Sequence, residues 1–267
     1  MGTVRLLLTN DDGIYAPGIK ALRHVLEKEG KYEITVVAPD REKSATGHGI
    51  TVHRPLRAFD ITFKNSQVRG VSVDGTPADC VKLAVEALLD KPPDLVLSGI
   101  NSGPNLGTDV LYSGTVSAAI EAMINGIPAI AISMGSFAFE DEEYLRAAEI
   151  FARLLPEILK HPWPRDTILN INIPNVPLTE IKGIAITRLG VRKYINVFEE
   201  RKDPRGLSYY WMSGEVVNYE NGQDTDTAAL TRKEISITPV HFDLTNYRYL
   251  NELKTWVKAL EGALATG

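Results

Sequence analysis

Two adjacent carboxylates, Asp11 and Asp12, are the residues with the clearest chemical potential in this 267-residue chain. They directly follow an apolar run, Val4–Thr9, and are therefore expected at the end of a buried strand. Two like charges this close cannot both stay ionised in a partly buried site unless a cation joins them. Carboxylate oxygens suit Mg²⁺, Mn²⁺ or Ca²⁺. The alternative is an ordinary turn, for which Asn-Asp-Asp-Gly is a typical sequence.

A second polar cluster occupies residues 39–49. It offers hydroxyl groups, charged or protonatable side chains, and glycines that let the backbone approach a ligand. These residues are Ser44 and Thr46; Arg41, Lys43 and His48; and Gly47 and Gly49. A solvated surface loop is the alternative interpretation, and it is equally compatible with this composition.

A third cluster, residues 98–109, is rich in Gly and Pro, and residues 112–117 follow it at the start of a predicted helix. Asn101 offers a neutral carbonyl oxygen suited to a hard metal ion. The stretch Ser113-Gly114-Thr115 opens the helix, and the exposed N–H groups and dipole of a helix N-terminus favour phosphate. A plain N-cap by Ser113 is the alternative there.

The elements that must position these clusters alternate between strand and helix. We predict strands at 4–9, 32–38, 94–97, 127–133 and 167–173, and helices at 18–29, 77–89, 113–125 and 142–161. This order predicts an α/β fold, a three-layer α/β/α sandwich with a Rossmann-like, mainly parallel sheet. Ligands of such sheets bind beyond the carboxyl ends of the strands, where all three clusters fall.

The pattern changes after about residue 174. Strands are predicted at 184–189, 191–198, 208–218 and 234–239, followed by a helix at 247–264. We therefore divide the chain into a Rossmann-like core with the active site at 1–175, and a β-rich arm with a C-terminal helix at 176–267. Residues 190–230 lack a dense aliphatic pattern, which fits either an arm packed on a partner subunit or a β-rich insertion on its own domain.

Composition limits the classes of partner. The chain has 34 acidic and 29 basic residues, a net charge of −5, which argues against DNA or RNA binding because no basic excess exists to neutralise phosphates. The single cysteine, Cys80, excludes an intrachain disulfide and is expected to be buried near a helix start. No stretch approaches the roughly 20 apolar residues of a membrane helix. We expect a cytoplasmic protein.

Together, acidic metal ligands, hydroxyl groups and a helix N-terminus favour metal-assisted hydrolysis of a phosphate ester. The sequence has no Walker loop, no dinucleotide-binding Gly-x-Gly-x-x-Gly after the first strand, and no Gly-x-Ser-x-Gly nucleophile elbow. Two other classes remain open, a non-catalytic nucleotide sensor and a metal-dependent glycosyltransferase.

Five blocks, in this order, resemble the SurE family of stationary-phase survival nucleotidases. They are Leu-Thr-Asn-Asp-Asp-Gly at 8–13, Ala-Pro-Asp-Arg at 38–41 with Ser-Ala-Thr-Gly-His at 44–48, Asp-Gly-Thr-Pro-Ala-Asp-Cys-Val at 74–81, Ser-Gly-Ile-Asn-Ser-Gly-Pro-Asn at 98–105, and Tyr-Ser-Gly-Thr-Val-Ser-Ala-Ala at 112–119. The resemblance implies a metal-dependent enzyme that releases phosphate from nucleoside 5'- and 3'-monophosphates, with some activity on short polyphosphate.

The resemblance also implies a set of site residues and an assembly. One divalent ion per subunit, Mg²⁺ or Mn²⁺, would be held by Asp11, Asp12, Ser44 and Asn101. The phosphate would be contacted near Asn101, Gly103, Ser113, Gly114 and Thr115. The family forms homodimers, sometimes homotetramers, in which C-terminal segments are exchanged between subunits.

The mechanism expected from these residues is attack on phosphorus by a water that the ion activates. Asp11 and Asp12 are the central catalytic residues, and Asn10 or His48 would orient the water or the leaving oxygen. A rival route passes through an aspartyl phosphate on Asp11.

Overall fold

A nine-stranded sheet forms the centre of the molecule. The structure is a computed structural model, and it describes residues 3–161, 164–195, 197–218 and 222–265. The strand order is β3-β4-β2-β1-β5-β6-β7-β13-β8. The strands in chain order are β1 Val4–Thr9, β2 Tyr32–Pro39, β3 Ala58–Thr62, β4 Arg69–Val73, β5 Leu95–Asn101, β6 Ala129–Met134, β7 Ile168–Ile173, β8 Gly183–Ile186, β9 Arg192–Ile195, β10 Phe198–Lys202, β11 Ser208–Met212, β12 Glu215–Asn218 and β13 Glu234–Val240. Six strands from β4 to β7 pair in parallel, while β3 and β13 join them antiparallel.

Helices cover both faces of the sheet. They are α1 Pro17–Glu29, α2 Pro77–Leu83, α3 Gly114–Ile124, α4 Asp141–Ile158, α5 Asp226–Thr231, α6 Tyr247–Leu253 and α7 Val257–Ala265. Successive strand residues face opposite sides, so Leu8 packs in the core under α1 and α4 while Leu7 packs in the core under α2 and α3. The prediction of an α/β fold with a mainly parallel sheet between helical layers is confirmed.

Local sequence signals explain where the helices begin and end. Helix α1 starts with Pro17 and stops at Gly30, whose φ of 65° is the left-handed conformation that glycine adopts readily. Helix α2 starts with a capping box between Thr76 and Asp79. The helix predicted at 77–89 is α-helical only to Leu83, because a π-helical turn at Ala84–Leu88 follows. Cys80 is fully buried in α2, as predicted.

Among the strands and α-helices, β3, β4, β10 and α5 were not predicted from the sequence; β10 shares only Phe198 with a predicted strand. Strand β4 contains a glycine, Gly70. A Cβ at this position would lie 2.6 Å from the ring of Phe63, so only a residue without a side chain fits under the ring. Strand β3 is an exposed edge strand, and the short apolar alternation of Phe59, Ile61 and Phe63 that marks it was not recognised. Helix α5 has six residues, too few for a periodic signal.

The C-terminal part both completes the sheet and extends from it. Strands β8 and β13 belong to the main sheet, whereas β9 to β12 form two small antiparallel pairs outside it, β10-β11 and β9-β12. Of the arm predicted at 190–230, residues 196 and 219–221 lie outside the described residues. The boundary at residue 175 stays a prediction. In the described part of the chain, no helix is long and apolar enough to span a bilayer.

Candidate active site

The three polar clusters meet at the carboxyl edge of the sheet. Strands β1 and β5 are parallel neighbours, so the segments that follow them emerge side by side. A cleft of about 200 Å³ lies there. Five residues predicted for the site line it: Asp11, Ser44, Asn101, Gly103 and Ser113.

Asp11 is held firmly against the start of α3. The residue is only 4% exposed, and its carboxylate accepts a hydrogen bond of 2.5 Å from the hydroxyl of Thr115. Burial raises the pKa of Asp11, an effect that the Thr115 hydroxyl and the backbone N–H groups of Thr115 and Gly114 oppose. The backbone carbonyl of Asp11 accepts the N–H of Lys43 at 2.7 Å. Asp11 therefore joins the first cluster to the start of α3 and also touches the second cluster.

Position 114 requires a glycine because the side chain of Asp11 packs directly on it. A Cβ at this position would lie 2.7 Å from the Cβ of Asp11, closer than two carbon atoms can approach. We expect Gly114→Ala to push Asp11 out of place, lower the unfolding free energy by about 1–3 kcal/mol and reduce turnover at least about tenfold. Thermal unfolding and phosphate release measure the two effects.

The matched control is Gly262→Ala in α7, where an added Cβ meets no atom within 4 Å. This variant should keep full activity and gain up to about 1 kcal/mol of stability, because alanine favours a helix over glycine. Equal behaviour of the two variants would contradict the packing argument for Gly114.

Asp12 is partly buried beside Asp11, and one of its oxygens accepts the backbone N–H of Ser102 at 3.3 Å. Burial, followed by the charge of Asp11, raises the pKa of Asp12 to about 7. Ionising both carboxylates in this environment is therefore unfavourable without a positive charge nearby. Among the described residues, neither Asp11 nor Asp12 has an ion-pair partner within 4.0 Å.

The donor set of the site fits a hard divalent cation. Asn101 donates its amide to the carbonyl of Gly103 at 2.7 Å, which leaves its side-chain oxygen free to coordinate. The exposed hydroxyl of Ser44 donates to Glu42 at 2.7 Å, so its oxygen retains lone pairs for a ligand. No three His, Cys, Asp or Glu side chains cluster within the described ranges. The predicted set is two carboxylates with two neutral oxygens, which matches oxygen-rich Mg²⁺ and Mn²⁺ sites.

The structure places Asn10 in the turn that carries the acidic pair. Its amide donates to the carbonyl of Gly13 at 2.9 Å and its side-chain oxygen accepts the N–H of Gly13 at 3.2 Å. Gly13 has a φ of 102°, which a side chain would strain. Asn10 is fully buried, and both of its polar functions shape the turn.

His48 does not line the cleft. Its Nε2 lies 2.8 Å from an oxygen of Glu121, in the second half of α3. The structure thus brings Asp11, Asp12, Ser44 and Asn101 to one edge of the sheet and places the ring of His48 farther along the helix.

The predicted phosphate contacts surround the start of α3. The hydroxyl of Ser113 accepts the N–H of Val116 at 3.1 Å, so Ser113 is an N-cap, as the alternative interpretation held. Its position in the cleft wall remains compatible with a ligand. Gly103 lies under the ring of Phe137, where a Cβ would meet the ring at 2.8 Å.

Seven of the residues that line the cleft were given no role from the sequence, among them Asp109, Tyr112 and Phe137. The rings of Tyr112 and Phe137 are 65% and 68% exposed, and both line the cleft with Asp109. Asp109 is bound by the guanidinium of Arg192 and by the hydroxyl of Tyr194, each at 2.6 Å. Phe137 follows β6, so the rule that sites lie beyond the carboxyl ends of strands was the signal that could have found it.

The fold and the site define an α/β protein with an acidic, oxygen-lined cleft at the carboxyl edge of its sheet. The sequence profile of the family described as "Survival protein SurE" matches residues 6–196. The chain belongs to the SurE family, as the five blocks predicted.

Relatives and a solved structure agree with this assignment. The chain is 96% identical to "5'-nucleotidase SurE" of Carboxydothermus hydrogenoformans, over 99% of this chain and 100% of that protein. It is 53% identical to "5'-nucleotidase SurE" of Heliobacterium modesticaldum, over 95% of this chain and 92% of that one. The crystal structure of the SurE protein from Aquifex aeolicus matches with a TM-score of 0.78 and 43% identity, over 94% and 98% of the two chains. The predicted class, a phosphoric monoester hydrolase, is confirmed.

Proposed function

We propose that the chain is a divalent-metal-dependent nucleotidase that hydrolyses nucleoside 5'- and 3'-monophosphates to nucleoside and phosphate, and also cleaves short polyphosphate. The observation that carries the metal dependence is the pair Asp11 and Asp12, in which burial raises both pKa values and the charge of Asp11 further raises that of Asp12. The described residues supply no cation within 4.0 Å of either carboxylate. A bound divalent ion removes this repulsion and prepares the cleft for an anionic substrate.

Asp11, Asp12, Ser44 and Asn101 would hold the ion, one per subunit, as Mg²⁺ or Mn²⁺. When bound, the ion supplies positive charge to the phosphate oxygens and lowers the pKa of water. The protein's own contribution is orientation. Thr115 fixes Asp11 by its 2.5 Å hydrogen bond, and the N–H of Ser102 fixes Asp12.

The remaining cleft wall fits a nucleoside monophosphate. The phosphate would lie between Asn101, Gly103 and the start of α3 at Ser113-Gly114-Thr115, where helix polarity favours an anion. The exposed rings of Tyr112 and Phe137 border the same cleft and offer flat apolar surfaces on which a base can stack.

Attack by water on phosphorus is the route that we propose, with an aspartyl phosphate on Asp11 as the rival. Asp11 is engaged by Thr115 and packed under Gly114, which favours a fixed ligand over a moving nucleophile. Acid quenching during turnover, followed by mass spectrometry of the peptide that carries Asp11, tests this. No phosphoryl adduct is expected, and its transient appearance would establish the rival route.

Phosphate release from a panel of substrates tests the proposed function. With Mn²⁺ present, we expect release from 5'-AMP, 3'-AMP and tripolyphosphate. Binding of AMP without release would indicate a nucleotide sensor instead, and turnover of a sugar nucleotide without release from monophosphates would indicate a glycosyltransferase. Release from 5'-AMP alone would restrict the substrate class to 5'-nucleotides.

We also propose a cytoplasmic homodimer or homotetramer with exchanged C-terminal segments. In α6, α7 and the 3₁₀ turn Lys254–Trp256 between them, apolar side chains are exposed at positions where a folded chain would normally bury them. They are Leu250, Leu253, Trp256, Val257 and Leu260, with exposures of 39–58%. This surface would be covered by a second copy of the chain.

We expect Trp256→Glu to convert the oligomer to smaller species, because burying a new carboxylate at an apolar interface is costly. Light scattering coupled to size-exclusion chromatography measures the mass. The control is Lys258→Glu, an exposed position two residues away, which should keep the oligomer. A monomeric native protein would overturn the assembly.

A further inference from the structure

The segment between β2 and β3 approaches the active site through a short exposed turn. This segment, residues 40–51, is called the Ser44 loop. Its backbone is fixed on both sides of Ser44, by the N–H of Lys43 to the carbonyl of Asp11 at 2.7 Å and by the N–H of Gly47 to the carbonyl of Tyr112 at 3.1 Å. The intervening residues 44–46 are exposed. The position of the Ser44 hydroxyl therefore depends on how well the flanking residues are anchored.

Downstream of Gly47, the Ser44 loop is attached to α2. Thr51 donates both its N–H and its hydroxyl to the two oxygens of Asp79, at 2.9 and 2.6 Å. The hydroxyl of Thr76 donates to the carbonyl of Gly49 at 2.7 Å. This end of the loop is thus fixed on α2, while the active site is built on α3.

His48 links the Ser44 loop to α3 by its side chain. Its Nε2 lies 2.8 Å from Oε2 of Glu121, which is only 5% exposed. Asn125 donates to the other oxygen at 3.1 Å and Lys82 lies 3.7 Å from it. The His48 bond holds the pKa of Glu121 below its ordinary value. A buried carboxylate with three partners of this kind is a rigid anchor point.

The anchor is distant from the reacting groups. Glu121 is six residues beyond Thr115, which corresponds to roughly 9 Å along a helix axis. Thr115 is the residue that contacts Asp11. His48 is not among the residues that line the cleft, and its Nε2 is engaged with Glu121.

We propose that His48 is a positioning residue whose bond to Glu121 holds the Ser44 loop on α3 and so places the Ser44 hydroxyl beside Asp11. This inference rests on the proposed function, in which Ser44 completes the metal site. It assigns to His48 a role in metal affinity and none in moving protons of the reaction.

Mn²⁺ affinity, measured without substrate by the EPR signal of the free ion, tests this role. We expect His48→Ala to weaken Mn²⁺ binding by about 10–100-fold, which is typical for loss of a residue that orients a metal ligand. His48→Gln retains an N–H donor for Glu121 and should bind Mn²⁺ within about threefold of the wild type. The control is His53→Ala, an exposed histidine five residues away, which should bind normally.

Turnover distinguishes positioning from proton transfer. Saturating Mn²⁺ should restore kcat of His48→Ala to near the wild-type value, and kcat of His48→Gln should keep the wild-type pH profile. Should His48→Ala fail to fold with Glu121 unpaired, the double variant His48→Ala/Glu121→Gln removes the unpaired charge and is expected to show the same weakened Mn²⁺ binding.

Two results would overturn the inference while leaving the proposed function intact. One is normal Mn²⁺ affinity in His48→Ala or in the double variant. The other is loss of turnover in His48→Gln together with loss of one limb of its kcat–pH profile, which would make His48 a proton-transfer residue. A wild-type protein that neither binds Mn²⁺ nor releases phosphate would overturn the proposed function and, with it, this inference.

Discussion

Replacing Asp12 with Asn should lower phosphate release from 5'-AMP in Mn²⁺ by a thousandfold or more, on the order expected when a charge that supports the transition state is removed. Asp11→Asn should have an effect of the same size. Both changes keep the shape of the side chain and remove one of two neighbouring negative charges. Steady-state phosphate release and thermal unfolding of the metal-free protein are the measurements.

Stability should change in the opposite direction from activity. The folded-state pKa of Asp12 is raised from 3.8 to about 7, so its ionised form is disfavoured in the fold. The metal-free wild type should therefore lose stability as the pH rises from about 4 to about 7. Asp12→Asn should show less of this loss and unfold several degrees higher than the wild type at pH 8.

Asp94→Asn is the matched control because Asp94 precedes β5 at the opposite end of the sheet, where it binds Arg5 at 2.7 Å. This exposed ion pair should contribute little to the stability of the fold. The variant Asp94→Asn is therefore expected to keep full activity. Activity of Asp11→Asn or Asp12→Asn near the wild-type value would refute the assignment of the acidic pair to the metal.

Removal of the proposed divalent ion is the second change for which we expect a large loss of activity. Removing divalent ions with a chelator should abolish phosphate release, and Mn²⁺ should restore it. Because a ligand that binds only the folded state stabilises it, Mn²⁺ at a hundred times its Kd should add about 2.7 kcal/mol. For a chain of this size, that corresponds to a rise of about 5–10 °C in Tm.

The pH dependence of this stabilisation follows from the same pair. Metal binding displaces the protons that the raised pKa values retain, so the Mn²⁺-induced rise in Tm should be small near pH 5 and grow until the pH exceeds the pKa of Asp12, about 7. Asp12→Asn should abolish this pH dependence of the Mn²⁺-induced rise in Tm.

Undiminished phosphate release after exhaustive chelation would show that the reaction proceeds without a divalent ion.

The sequence predicted best what depends on local pattern. Strand β1 has the bounds that its apolar run predicted, and α1 and α3 begin within one residue of the predicted positions. Because polar clusters follow buried strands, topology predicted that Asp11 and Asn101 would share one edge of the sheet, and the chemistry of a phosphate site at a helix start added Ser113. The cleft brings these three residues together.

What the sequence could not predict depends on contacts between distant residues. His48 and Glu121 are 73 positions apart, and nothing near either residue indicates the pair. The six-residue helix α5 is too short for a periodic signal, whereas the alternation in the edge strand β3 was present but not recognised. Phe137 belongs to the cleft only because the turn after β6 folds over Gly103.

The ion pair between Asp109 and Arg192 has a consequence for the proposed assembly of subunits. Asp109 belongs to the wall of the cleft, and Arg192 is the first residue of β9, where the arm leaves the body of the chain. In that assembly, a neighbouring subunit that pulls on the arm would act on the cleft wall through Asp109, which the guanidinium of Arg192 and the hydroxyl of Tyr194 both bind. We expect specific activity to fall on dilution as subunits separate, so that each subunit's rate reports whether its neighbour is bound.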